Sequence, residues 1–239
     1  MLTQDLIDCF NKFFVMELVK TDKQREDMQR LRYDVYIDEF KFANSEDYPD
    51  KLEHDEYDDI SPACIIYHIS TNKPAACVRL VPAAMCKHLP IEQHVGDSID
   101  TGVLEKLNFD RSILAEISRL AVARDFRRRD KENLTPVGYS DGEGRTYPMI
   151  TVALFLACIV LADIINSENN IASMEPFLPR LIKRSGITFK QIGRPVDYHG
   201  IRSAYLVHKS DVINTLQAET RQLVEQIRHD FLSQMLMIY

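Results

Sequence analysis

MITVALFLACIVLA, residues 149–162, is the one long apolar run in the chain, and any fold must hide it from water. At fourteen residues it falls short of the roughly 18 to 20 needed to span a bilayer. It therefore reads as a helix of about 147–165, buried on all sides inside a core. What precedes it narrows the choice further. ILAEISRLAVARDF (113–126) alternates apolar and polar residues as a long central strand does, with Glu116, Ser118 and Arg124 off the core face. RRRDKENLTPVGYSDGEGR (127–145) is a charged, glycine-containing connection. Strand, loop and buried helix follow one another directly.

Around this unit the periodicity predicts a helix over 4–14, a short strand over 14–19, and a helix over 23–40 capped by Thr21 or Asp22. Strands are expected at 63–70 and 75–82, joined by a Thr-Asn-Lys-Pro turn as a hairpin. Residues 85–110 carry only loop signals. A strand at 170–177, a short helix at 179–186 ended by Gly186, strands at 187–193 and 202–209, and a last helix over 210–235 complete the chain. No repeat or low-complexity segment interrupts them.

With 239 residues and 45% hydrophobic content, the expectation is one domain, 1–239, around one sizeable core. A net charge of -7 argues against general affinity for nucleic acid or for an anionic membrane, and no integral membrane segment is expected. Five cysteines without CxxC or Cys/His spacing read as reduced thiols. The acidic, amphipathic start lacks the features of a signal peptide, so a cytoplasmic location is expected.

LEHDEYDD (52–59) packs five carboxylates and a histidine into eight positions. It lacks the glycine that a calcium loop of the EF-hand type requires, and no metal is expected. Three arginines sit in or beside apolar segments: Arg32 in LRYDVY, Arg79 in CVRLVP and Arg119 in EISRLAV. Snorkelling explains a single such arginine. Three of them, with Glu116 three residues before Arg119, point to a charged cluster. It is either an ion-pair scaffold that satisfies itself or a site for a substrate carrying both an amine and a carboxylate.

LRYDVYIDEF, the E-x-D-x-x-D within LEHDEYDD, CVRLVP and EISRLAV resemble, in order and spacing, the signature of the acyl-homoserine-lactone synthases. The resemblance covers roughly residues 25–125. It implies one electrostatic cluster of Arg32, Glu53, Asp55, Asp58, Arg79, Glu116 and Arg119. There are departures: the family's tryptophan after the first helix is absent, with Phe40 or Phe42 in its space, RLVPAA replaces R-L-L-P-T, and Leu120 stands for the aromatic of S-R-F. The C-terminal half, with SMEPFLPRLIKRSGITFKQIG and VDYHGIRSAY, looks like the PEP-CTERM/exosortase-associated acyltransferases and related N-acyl amino acid synthases. Together with the element order, these resemblances imply an α/β (α+β) fold of the GNAT-like acyltransferase type: a central mixed, mostly antiparallel, twisted sheet flanked by helices.

The expected activity is transfer of a fatty acyl group from acyl carrier protein to the amine of an amino acid. The alternatives are a lactone synthase using S-adenosylmethionine, and a non-catalytic module that binds acyl carriers or a lipid signal. N-acylation needs an amine freed of its proton and a polarised thioester carbonyl. Glu116 is the candidate base. Asp55 and Asp58 are the candidates to hold the ammonium, and Arg79 or Arg119 to pair with a carboxylate. The resemblance implies a backbone oxyanion donor among Leu120, Ala121, Val122 and Ala123. Arg124, Arg127, Arg128, Arg129 and Lys131 form the densest basic group and are the candidate dock for pantetheine phosphate and an acidic carrier. No pyrophosphate loop of the acetyl-CoA type is evident, which favours acyl carrier protein over coenzyme A as the carrier of the acyl co-substrate. No bound cofactor is expected. His199, in a predicted turn, is in a position to face the site, although a turn histidine is more often just exposed.

Overall fold

A computed structural model describes residues 3–102, 110–127 and 141–236. Among them an eight-stranded sheet runs in the order β1 (Phe14–Leu18), β2 (Ala63–His68), β3 (Lys73–Pro82), β4 (Leu114–Val122), β5 (Asn169–Met174), β8 (Ile201–His208) and β6 (Lys190–Gln191). The short β7 (Val196–Asp197) also pairs with β8. Every pairing is antiparallel except β4 with β5.

The helices are α1 (Gln4–Phe13), α2 (Asp22–Arg32), α3 (Pro90–Val95), α4 (Asp141–Gly144), α5 (Tyr147–Ile164), α6 (Phe177–Lys183), α7 (Lys209–Thr215) and α8 (Ala218–Leu236). The apolar run forms most of α5, which is long and apolar enough to cross a membrane by length and composition alone. Here 78% of it is buried inside the protein, against one face of the sheet. On the opposite face, α2 packs over β2 and β3, and α3 covers the middle of the sheet.

The structure departs from the periodicity in four places. Thr21 caps α2 through a capping box with Gln24, but the helix stays regular only to Arg32 and then widens into a π-helical turn, Tyr33–Glu39. The supposed loop at 85–110 contains α3, begun by Pro90 in its first turn and by the Glu92 carboxylate, which accepts from the Leu89 amide at 2.7 Å. The strand expected at 187–193 is regular only at Lys190 and Gln191, followed by single links from the Ile192 amide to the Ala204 carbonyl at 2.9 Å and from Gly193 to Ile99, while Ile187 and Phe189 before it are buried in the core. The last helix is two helices, broken where Leu216 turns into the core.

Candidate active site

β4 and β5 are parallel partners over three residue pairs only, ending at Glu116 opposite Ile171. Beyond that point β4 continues along β3 and β5 along β8. The two strands part, and a cleft of about 1040 Å³ opens between them. Side chains alternate across a sheet, so the gap has two different walls. Ile117, Ala172 and Met174 face the α5 side, where Phe155, Leu178 and Leu181 continue an apolar lining. Glu116, Ser118 and Ser173 face the α3 side, where Glu53, His94, Arg119 and Arg202 make it polar.

The parting strand is bent by a bulge. Cys77 opposes Ala121 while Arg79 opposes Ser118, so Arg119 and Leu120 together face Val78. Arg119 adopts φ 51, a left-handed conformation that costs a non-glycine residue about 1–2 kcal/mol. The surroundings hold it there. The Arg119 side chain is tied to Glu53 and Asp55 at 3.0 Å each. From the π-helical turn, the Tyr36 hydroxyl donates to the Leu120 carbonyl at 2.7 Å.

Six of the seven expected charged residues form one closed cage. Arg32 forks onto Asp58 at 2.6 and 3.1 Å and donates through Nε to Glu53. Arg79 binds Asp55 with both terminal nitrogens and Asp58 Oδ1 at 2.6 Å. Arg32 and Arg79 are wholly buried. The cage keeps its charges: burial pushes the Asp55 carboxyl up, but Arg79, Arg119 and Arg32 outweigh it and hold it down at about 2. Asp58 is likewise lowered by Arg32 and Arg79 against its burial.

This geometry corrects two expectations. Both oxygens of Asp58 and Oδ1 of Asp55 accept two hydrogen bonds each, counting the backbone amides of Tyr57 and Asp55, while Asp55 Oδ2 accepts one from Arg79 and makes an ion pair with Arg119 at 3.0 Å. Each carboxylate is thus already engaged by two arginines, with which an ammonium group would have to compete. Arg79 is sealed in the cage and lies off the cleft wall, so it cannot meet an incoming carboxylate. The cage residues that do line the cleft are Glu53, whose Oε1 and Oε2 each accept a single side-chain bond, and Arg119.

Glu116 stands apart from the cage. It is 4% exposed, and its Oε2 accepts from the Ile91 amide in the first turn of α3 at 2.7 Å. Burial pushes its carboxyl up to about 8, against the smaller opposing influences of the Ile91 amide, Arg79 and Arg119.

Of the four backbone positions, Leu120, Ala121 and Val122 line the cleft. The Ala123 amide is taken by the Ala75 carbonyl at 2.8 Å and drops out. Since successive amides point to opposite strand edges, the neighbouring Val122 amide is directed to the edge from which β5 has departed. Of the basic group, Arg124 is exposed. Arg127 is partly committed, paired with Glu39 and stacked over the Phe40 ring at 4.9 Å. Arg128, Arg129 and Lys131 lie outside the described residues.

His94, Tyr198 and Arg202 line the cleft without having been singled out in the sequence. His199 is exposed yet lines the cleft: it stacks on Phe42 at 4.5 Å and lies tilted by 57° against Tyr198 at 4.5 Å, while Tyr198 stacks on His94 at 4.8 Å. Phe40 and Phe42 extend the row. Burial lowers both histidines, helped by Arg119, and at His199 also by Arg202. The only sequence signals were the Val-Asp-Tyr-His-Gly turn and Pro90. Among the described residues no three His, Cys, Asp or Glu side chains group as metal ligands.

Residues 31–135 match the family model described as the Acetyltransferase (GNAT) domain. No curated protein sequence matches the chain. Solved structures similar to it include TofI in a ternary complex with an inhibitor and MTA, at TM-score 0.60 and 16% identity over 89% of this chain and 96% of that one. BjaI, a CoA-dependent acyl-homoserine lactone synthase with SAM and isopentyl-CoA, aligns at TM-score 0.59 and 17% identity over 90% and 89%. FeeM, an N-acyl amino acid synthase from uncultured soil microbes, aligns at TM-score 0.57 and 13% identity over 85% and 94%.

Proposed function

We propose that this acyltransferase of GNAT fold moves a fatty acyl group from acyl carrier protein to the amine of an amino acid. The observation that carries the reading is the splay of β4 and β5, with the buried Glu116 at its apex on the polar side and a deep apolar wall on the other. One substrate is an apolar chain ending in a thioester. The other is a small ion, and the cleft offers each its own wall.

Glu116 takes the proton of the acceptor. A carboxyl near 8 is matched to an α-amine, which titrates at about 7.7–8.0. Carboxylate with ammonium and carboxylic acid with free amine are then close in energy, and the transfer between them costs little. The freed nitrogen attacks the thioester carbon, the carbon–sulfur bond breaks with its electron pair going to sulfur, and the second proton shed by the nitrogen passes to the departing thiolate, which leaves as the free thiol. The oxyanion formed in between is met by the Val122 amide, held in place by the bulge before it. Glu53 steadies the ammonium on arrival, and Arg119, its side chain 28% exposed, meets the acceptor's carboxylate. Arg124 and the basic residues after it receive the acidic carrier.

The test is incubation of the purified protein with acyl carrier proteins and acyl-CoAs of several chain lengths, a mixture of amino acids and S-adenosylmethionine, with products read by mass spectrometry. N-acyl amino acids formed from carrier donors support the proposal. Methylthioadenosine with a lactone would replace the acceptor, preference for acyl-CoA would replace the donor, and binding without turnover would overturn the activity.

A further inference from the structure

The apolar half of the cleft has a wall that is only two side chains thick. Behind Ile117 of β4 and Phe155 of α5 lies a second cavity of about 20 Å³, and those same two residues line both spaces. Its remaining apolar lining comes from Cys158 and Ile159 on α5, Ile187 and Phe189 before β6, Val207 on β8, and Val212 on α7. Phe155 meets Phe189 edge to face, with ring centroids 5.6 Å apart at 71°, which braces the partition from behind. At the far end stands Lys209, held by Asp163 at 2.8 Å, beside Asn170.

We propose that Ile117 and Phe155 form the end stop of the acyl chamber and set the longest chain the protein accepts, with the second cavity held in reserve behind them. The inference rests on the acyl-transfer reading above. A chain entering from the splay lies along Ile117 and is halted where the Phe155 ring closes the space. Further methylenes would have to displace a ring packed on both sides, and close-packed interiors resist that. Removing either side chain joins the two spaces and lets the chain run on toward Phe189 and Val212. Both side chains belong to the apolar wall, on the α5 side of the sheet.

The experiment compares the wild-type protein with Ile117→Ala and Phe155→Leu. It measures transfer from acyl carrier proteins whose chains lengthen two carbons at a time, together with equilibrium binding of free fatty acids of the same lengths. The expected result is a preference shifted to longer chains, each newly accommodated methylene adding up to about fourfold in affinity. A third protein, Ile117→Ala with Cys158→Phe, fills the reserve space and should return to the wild-type limit, which general loosening of the core would not do. Unchanged length profiles in folded variants, or a gain that survives the Cys158→Phe change, overturns the end stop. Absence of transfer by the wild-type protein from any donor would instead overturn the acyl-transfer reading, and the fatty-acid binding series would still decide the end stop.

Discussion

The backbone amide of Ile91 donates to Oε2 of Glu116 at 2.7 Å, so the first turn of α3 is fastened to the point where β4 and β5 separate. The amide can serve an amide side chain equally well. Glu116→Gln is therefore expected to fold normally and to lose about 10²- to 10⁴-fold in kcat, with little change in acceptor KM. Steady-state kinetics on the folded variant check this, and a near-normal rate would remove Glu116 as the base.

The same carboxyl makes stability depend on pH in a defined direction. Its value rises from an ordinary 4.5 to about 8 in the folded protein. Between those values the folded chain keeps a proton that the unfolded chain has released, so stability falls as pH rises through the window and levels off above it. Glu116→Gln lacks this loss. Urea titrations from pH 4.5 to 8.5 should show the variant gaining on the wild type by a few kcal/mol, on the order of 4 at the upper end. Parallel curves would contradict the buried, neutral carboxyl.

Breaking the cage should be costly because Arg32, Arg79, Glu53 and Asp58 are buried from water. Arg79→Met leaves Asp55 and Asp58 short of partners in a buried setting, and a loss of about 3–5 kcal/mol is expected. Arg25 pairs with Asp59 at 3.2 Å, but Asp59 is 92% exposed, and Arg25→Ala should leave the urea midpoint unchanged. Equal effects of the two substitutions would mean that the cage is not tightly closed.

Arg119 combines a left-handed backbone with a side chain that grips two acids. Arg119→Gly and Arg119→Ala both lose the grip, but only alanine retains the backbone strain. The glycine variant should be the more stable of the two, by about 1 kcal/mol, and both should lose acceptor binding. Denaturation midpoints decide the order.

Arg124 is exposed beside the cleft and outside the cage. Arg124→Glu should weaken binding of an acidic carrier protein at low salt and differ less from wild type as salt rises, since exposed charges are screened. Titration calorimetry at two salt concentrations provides the measurement. Equal affinities at low salt would move the dock elsewhere.

The sequence by itself determined the scaffold, because burial and periodicity are local demands. The run from Met149 to Ala162, apolar but for Thr151, had to become the core helix, and most of the alternation at 113–126 had to become a central strand facing it, Leu114–Val122. The charged positions were legible as well, since three arginines among apolar neighbours had to find acids, and the E-x-D-x-x-D run supplied them. Which of these groups line the cleft was left to the tertiary structure. In sequence Asp55, Asp58 and Arg79 look as available as Glu53 and Arg119. In the fold, the first three spend their hydrogen-bonding capacity on one another or lie sealed behind the cleft wall. Likewise only the fold could turn the weak segment at 85–110 into the helix that carries Ile91 to Glu116, or bring His199 from a turn onto Phe42. Such contacts join residues far apart in the chain, and hydrophobic periodicity reports which face of an element is buried but not what waits opposite it.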